Sequence, residues 1–273
     1  MVQVKDILAW IDDFAPFRWA ASWDNSGLLV GDPHAEVERI VVALEPSSTT
    51  IAEVEQAGPR QCLVTHHPLI FSPLKSIRTD SFPGNLIARA LKGGIHLIAA
   101  HTNLDAAREG TNGVLARLLG LEALEPLETD PLWRDEEAYG GMGCVGLLPE
   151  SMLLGELVER LRKVLGAADM RVAGDPGNMV RKTALCTGSG ASLARAAFAA
   201  GAQAYITGDV KYHDAQWAVE VGLSLIDIGH FASERLVVEP LAARLRSWAS
   251  GRGVEVAAAS QEKDPFWPGG RSF

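Results

Sequence analysis

The 273-residue chain predicts an α/β fold of two lobes, each a mixed sheet flanked by helices. Three observations carry this expectation. Short apolar runs alternate with segments of helical periodicity, the order that gives covered sheets. Most of the strand-like runs are apolar on both faces, as strands buried in a mixed or parallel sheet are. One stretch, Leu124–Tyr139, breaks the alternation with Pro126, Pro131 and six carboxylates, and reads as the connection between lobes.

Taken in order, the strand-like runs are Arg39–Leu44, Gln61–Thr65, Ile95–Ala100, Gly141–Leu148, Lys182–Thr187, Ala202–Thr207 and Leu223–Ile228. Helical spacing covers Val4–Phe14, with Ile7, Leu8 and Ile11 on one face, then Thr49–Ala57, Gly84–Leu91 and Thr111–Leu119. Leu154, Leu157, Leu161 and Leu165 mark a helix over Leu153–Leu165. Ser192–Ala200, Asp214–Val221 and Ser233–Trp248 complete the set. Val172–Asn178 reads as a loop around Gly174, Pro176 and Gly177. The tail Pro265–Phe273 is expected to pack Phe266 and Trp267 onto the body. The first lobe is placed at 1–128 and the second at 129–228, with 229–273 returning to complete the first lobe.

Hydrophobic residues make up 47% and charged residues 22%, the balance of a folded globular protein and not of a disordered one. With 25 Lys plus Arg against 34 Asp plus Glu, the formal charge is −9. That argues against non-specific nucleic-acid binding, which needs a basic footprint. Cys62, Cys144 and Cys186 are widely spaced in apolar stretches, with no C-x-x-C, so no disulfide partner is expected. Neither a signal peptide at the N-terminus nor an apolar run long enough to span a membrane is seen, and the expected location is the cytoplasm.

Chemistry concentrates where strands end. Cys62-Leu-Val-Thr-His-His-Pro-Leu69 places His66 and His67 just past a strand, where ligands bind in open α/β sheets. Adjacent imidazoles diverge, so each could serve a different ion; two ordinary polar loop residues are the alternative. Leu97-Ile-Ala-Ala-His-Thr-Asn-Leu-Asp105 repeats the plan with His101 and Asp105. Here the alternative is a turn in which Asn103 and Asp105 cap the next helix. Leu225-Ile-Asp-Ile-Gly-His-Phe-Ala-Ser-Glu234 repeats it again: Gly229, then His230, with Glu234 expected to open a helix. Glu234 and Ser233 also read as a dipole-favoured acid and a cap. Three strands ending in His, two with a carboxylate close behind, supply five or six N and O ligands. That exceeds the need of one tetrahedral ion and suits a dinuclear site.

The other histidines differ. His34 lies in a polar turn, and His96 sits inside a strand as a structural residue. His213 comes after another strand end and reads either as a cleft-lining proton donor or as a helix-start residue. The turn Thr187-Gly-Ser-Gly-Ala191 lacks a dinucleotide fingerprint and a P-loop lysine, and close backbone packing is preferred there to an anion cradle.

These segments together resemble the Nif-three-like family, many of whose bacterial members carry the name GTP cyclohydrolase 1 type 2 homologue. The matching motifs are Trp23-Asp-Asn-Ser-Gly-Leu28 with Val30-Gly31, Thr65-His-His-Pro-Leu-Ile-Phe71, His101-Thr-Asn-Leu-Asp105, Thr207-Gly-Asp-Val-Lys-Tyr-His213 and Gly229-His-Phe-Ala-Ser-Glu234. The resemblance implies a dinuclear site held by His66, His67, Asp105, His230 and Glu234, with the glutamate bridging and His101 as a possible sixth ligand. It also implies a toroidal homohexamer. Two departures stand out. Leu44-Glu-Pro-Ser-Ser48 replaces the Leu-Asp-Val-Thr common in the family, and the chain has no room for the extra domain inserted in some relatives.

The expected function is a metal-dependent hydrolase with two divalent ions per chain, Zn, Fe, Mn or Ni rather than Mg. Its site is expected in the cleft between the lobes. His101 and His213 are the catalytic candidates for proton transfer. The named reaction is opening of the guanine imidazole ring of GTP with release of formate. The alternatives are a metal-binding scaffold that recruits a partner, or a metallohydrolase of another substrate such as a phosphoester.

Overall fold

The short apolar runs without polar alternation are strands covered on both faces, and they form the centres of two sheets. The computed structural model describes residues 1–129, 141–166 and 169–266. In chain order the elements are β1 (Val2–Gln3), α1 (Val4–Phe14), β2 (Gly27–Val30), β3 (Glu36–Val37), β4 (Arg39–Ala43), α2 (Ser48–Gln56), β5 (Gln61–Thr65), α3 (Gly84–Gly93) and β6 (Ile95–Ala99). Then come α4 (Thr102–Ala106), α5 (Thr111–Leu118), β7 (Glu122–Glu128), β8 (Met142–Leu153), α6 (Leu154–Leu165), β9 (Arg171–Ala173) and β10 (Met179–Leu185). The order closes with α7 (Ala194–Ala199), β11 (Ala204–Thr207), α8 (Tyr212–Val221), β12 (Ser224–Asp227), α9 (His230–Glu234), α10 (Val238–Ala249) and β13 (Glu255–Ala258).

The chain divides into two units. Unit 1 is Met1–Leu104 with Val237–Lys263; unit 2 is Asp105–Leu236 with the described tail residues 264–266. The sheet of unit 1 runs β13-β4-β5-β6-β2. Its first four strands are parallel, and β2 is antiparallel on the edge. All five residues of β5 are buried, as a central strand requires. Leu63, Leu97, Ile51 and Ile87 pack one side of this sheet. On α1, Val4, Ile7 and Ile11 face inward, and the Asp6 carboxylate accepts from the Gln3 N–H at 2.8 Å to close the first turn.

The sheet of unit 2 runs β7-β8-β10-β11-β12-β9. Its parallel centre β10-β11-β12 is flanked by antiparallel strands. Leu154, Leu157 and Leu161 of α6 pack with Leu185, Ile206 and Ile226 on one face, and Tyr205, Leu225 and Ala197 pack on the other. The fold is mixed α/β with sheets flanked by helices. Cys62, Cys144 and Cys186 are buried and form no disulfide. No helix among the described residues is long and apolar enough to cross a membrane.

Four local expectations need correction. The stretch beginning at Leu124 starts as an edge strand, β7, paired antiparallel with β8. Pro126 and the exposed Glu122, Glu125 and Glu128 are tolerated there because one side of an edge strand donates to no neighbour. The remainder of that reading, 130–139, lies outside the described residues. Arg171–Ala173, two of whose three residues lie inside the loop read over Val172–Asn178, pairs with β12. Phe266 is 85% exposed and not packed on the body, and Trp267 lies outside the described residues. Finally, Glu234 does not open a helix. It closes the short α9, and the continuous helix read over Ser233–Trp248 is divided into α9, a single 3-10 turn and α10.

Candidate functional site

In unit 1 the parallel ladder continues past the strand ends and fixes the residues just beyond them. The N–H of His66 donates to Ala43 O at 3.2 Å, that of His67 to Leu44 O at 2.9 Å, and that of Ala100 to Thr65 O at 2.8 Å. Because β5 and β6 are adjacent and in register, His66, His67 and His101 emerge side by side. Their ring centroids are 4.9 Å (His66–His67), 5.1 Å (His66–His101) and 5.5 Å (His67–His101) apart. One ligand nitrogen from each lies within 4.8 Å of the others.

Each ring is oriented through Nδ1. His66 donates to Ala100 O at 2.9 Å, His67 to Glu45 Oε1 at 2.6 Å and His101 to Asp24 Oδ1 at 2.8 Å. Carbonyl and carboxylate oxygens only accept, so in the neutral rings Nδ1 carries the proton and Nε2 the lone pair. That is the tautomer a metal ligand needs, set by the partner of the opposite nitrogen. The donor set therefore fits a divalent transition ion.

Asp24 is the most heavily used of these partners. Its side chain is fully buried and also accepts from Ser26 Oγ at 2.8 Å, Thr102 Oγ1 at 2.5 Å and the Thr102 N–H at 3.1 Å. Burial by itself would raise its carboxyl. The hydrogen bonds from His101 and Thr102, with the pull of the His101 ring and the Ser26 hydroxyl, outweigh that and hold it well below the usual carboxylate range.

In unit 2, β12 ends at Asp227, whose carboxylate accepts the Gly229 N–H at 3.0 Å. Gly229 turns the chain at φ +80°, and His230 starts α9. One turn later Glu234 lies on the same side, with Oε2 3.0 Å from His230 Nε2. His230 Nδ1 donates to Asp209 Oδ2 at 2.8 Å. Glu234 is 4% exposed. Against it lies Gly188, at φ +67°, where a Cβ would fall 2.0 Å from Glu234 Oε1. The glycine turn is thus a packing device. Its N–H groups are engaged, Gly188 donating to Ser233 Oγ at 2.9 Å and Gly190 to Thr207 Oγ1 at 3.1 Å. Ser233 in turn donates to His230 O at 2.7 Å, which holds the helix turn closed.

Asp105 is a buried residue of α4 and accepts from the Thr111 hydroxyl. Asn112 donates to its carbonyl at 3.0 Å and accepts the Thr187 N–H at 2.9 Å, linking α5 to the glycine turn.

Unit 1 thus brings together His66, His67 and His101, and unit 2 brings together His230 and Glu234. His213 is exposed in the first turn of α8, its ring edge-on to Tyr212 at 5.3 Å. His34 is exposed. His96 is structural: Nδ1 accepts the Asp32 N–H at 3.2 Å, and burial lowers its pKa against the opposing pull of Asp32. Sequence reasoning assigned no role to three orienting acids, Asp24, Glu45 and Asp209. Asp24 and Asp209 stand inside the motifs quoted above and Glu45 in the segment that departs from one, but nothing local names the histidine each of them holds. Glu45 is the partner of His67.

The family model described as Duf34/NIF3 (NGG1p interacting factor 3) matches residues 2–265. A GTP cyclohydrolase 1 type 2 homolog of Clostridium perfringens is 34% identical, over 97% of this chain and 99% of its own length. The GTP cyclohydrolase 1 type 2 of Helicobacter pylori strain J99 is 34% identical, over 86% of this chain and 88% of its own. Among solved structures, Staphylococcus aureus protein SA1388 superimposes with a TM-score of 0.89 at 27% identity, covering 98% of this chain and 99% of that one. With the match running through every strand end described above, the chain belongs to the Duf34/NIF3 family.

Proposed function

We propose that the protein is a metal-dependent hydrolase whose dinuclear centre is held by His66, His67, Asp105, His230 and Glu234. Glu234 would be shared by both ions, and His101 would stand beside them as sixth ligand or proton carrier. The observation that carries this reading is the imidazole trio of unit 1, with Nδ1 of each ring engaged and one ligand nitrogen apiece within 4.8 Å. Bound divalent ions would acidify a water and polarise an electrophilic carbon. The mixed N and O donors favour Zn, Fe, Mn or Ni over Mg.

The names of the relatives support GTP as the substrate. Opening of the guanine imidazole ring takes one water, which adds at the ring carbon as a ring C–N bond breaks to leave a formamide, and a second water, which hydrolyses that formamide so that formate leaves and the amine stays. In this reading His101, its Nδ1 held by Asp24, carries a proton through Nε2, and His213 is the second candidate for that role. The reading extends to a toroidal homohexamer acting in the cytoplasm, and sedimentation tests the assembly.

Elemental analysis after reconstitution with Zn²⁺, Mn²⁺ or Fe²⁺ should find two ions per chain. Glu234→Gln should weaken both, and Asp105→Asn only one. Turnover of GTP is monitored as formate release with loss of the guanine absorbance band. Metal content near zero in every reconstitution sinks the reading. Metal-loaded protein with no turnover above a Glu234→Ala control leaves the partner-recruiting scaffold.

A further inference from the structure

Two large aromatic rings stand exposed at the imidazole trio of unit 1. Trp23 is 60% exposed and Phe71 49%. Side chains of this size usually bury most of their area, and exposed apolar clusters mark binding surfaces. The two rings are 5.9 Å apart and tilted by 56°, so neither stacks on the other. Both meet the His101 ring edge-on, each at 6.2 Å, with interplanar angles of 76° and 79°. The imidazole thus sits in a fork of two rings.

The fork is held in place. Asn25 Nδ2 donates to Ile70 O at 2.5 Å, tying the loop that carries Trp23 to the loop that carries Phe71. Trp23 adjoins Asp24, the acid that orients His101. Phe71 lies four residues beyond His67 on the same connection. The geometry of the aromatic fork is therefore coupled to the geometry of the histidines.

We infer that Trp23 and Phe71 form a stacking site for the planar heteroaromatic ring of the substrate, a nucleobase, held at the edge of His101. This rests on the proposed function in taking the histidine cluster as the reacting site. Stacking on an aromatic side chain tolerates any base, because every base has a π-face. The fork accordingly supplies ring binding and orientation, with little discrimination between purines.

The test is calorimetric titration of full-length protein in EDTA with guanosine, and with ribose 5-phosphate as the ring-free probe. Guanosine should bind and ribose 5-phosphate should not. Trp23→Ala and Phe71→Ala should each weaken guanosine about tenfold, and Trp23→Phe should restore most of it. Circular dichroism of each variant checks that the fold is intact. Unchanged guanosine affinity in both alanine variants overturns the site. So does ribose 5-phosphate binding as tightly as guanosine, or a variant that shifts only the sedimentation coefficient, which would make the fork a contact between copies. Protein that binds guanosine through the fork but takes no metal and releases no formate loses the hydrolase and keeps this site. Protein that turns over GTP with an unaltered KM in both alanine variants loses this site and keeps the hydrolase.

Discussion

The two units hold the same kinds of side chain by different physical means. In unit 1 each imidazole is oriented by an oxygen from a separate segment, and the acid behind His101 is wholly buried. In unit 2 His230 and Glu234 share one helical turn, and Glu234 is confined by the glycine backbone at Gly188. The acid on His230, Asp209, is half-exposed. Unit 1 contains a buried hydrogen-bonded charge in Asp24, and unit 2 a sterically confined one in Glu234. The two therefore fail differently: the first when a polar partner is removed, the second when a methyl group is added.

The largest effect should come from adding that methyl. Gly188→Ala combines a left-handed backbone with an overlap against buried Glu234, and should cost about 3 kcal/mol. Urea unfolding measures it, and a loss below about 1 kcal/mol would show that Glu234 moves aside freely. Next comes Asp24→Ala, which leaves His101, Thr102 and Ser26 without their common acceptor. A loss of about 2–3 kcal/mol is expected from the same measurement.

Asp209→Ala is the matching change in unit 2. With both partners partly solvated, it should cost about 1 kcal/mol or less. Equal losses for Asp24→Ala and Asp209→Ala would erase the contrast between the units. The smallest signal is chemical. Burial pushes the thiols of Cys62 and Cys186 upward, so at about pH 8 both remain neutral and shielded in the native state. Alkylation by a soluble thiol reagent should be slow until denaturant is added, and rapid labelling of native protein would contradict this.

Much of the fold was legible because its strands are locally consistent. Gln61–Thr65 is read with the boundaries it adopts, and Arg39–Leu44 and Ile95–Ala100 each run one residue long. A fully buried strand needs apolar residues at every position, and that signal is local. Edge strands escaped for the opposite reason. β2, β7, β9 and β13 each border a sheet, and β7 carries the composition of a loop. Their pairing depends on a neighbour that local sequence does not name. Glu234 was misplaced by four residues because His230, read as a strand-end ligand, is itself the first residue of the helix.

The sequence by itself determined which strands end in histidine, and thereby which rings stand together in unit 1: adjacency of β5 and β6 comes from two similar apolar runs joined by one helix. What holds those rings was decided only by tertiary structure. Asp24 lies 77 residues before His101, Glu45 lies 22 before His67, and Asp209 lies 21 before His230. A hydrogen bond requires its two atoms within about 3 Å and in line. No local pattern carries that condition across such separations, so the choice of tautomer, and with it the nitrogen each histidine offers, is a property of the folded chain.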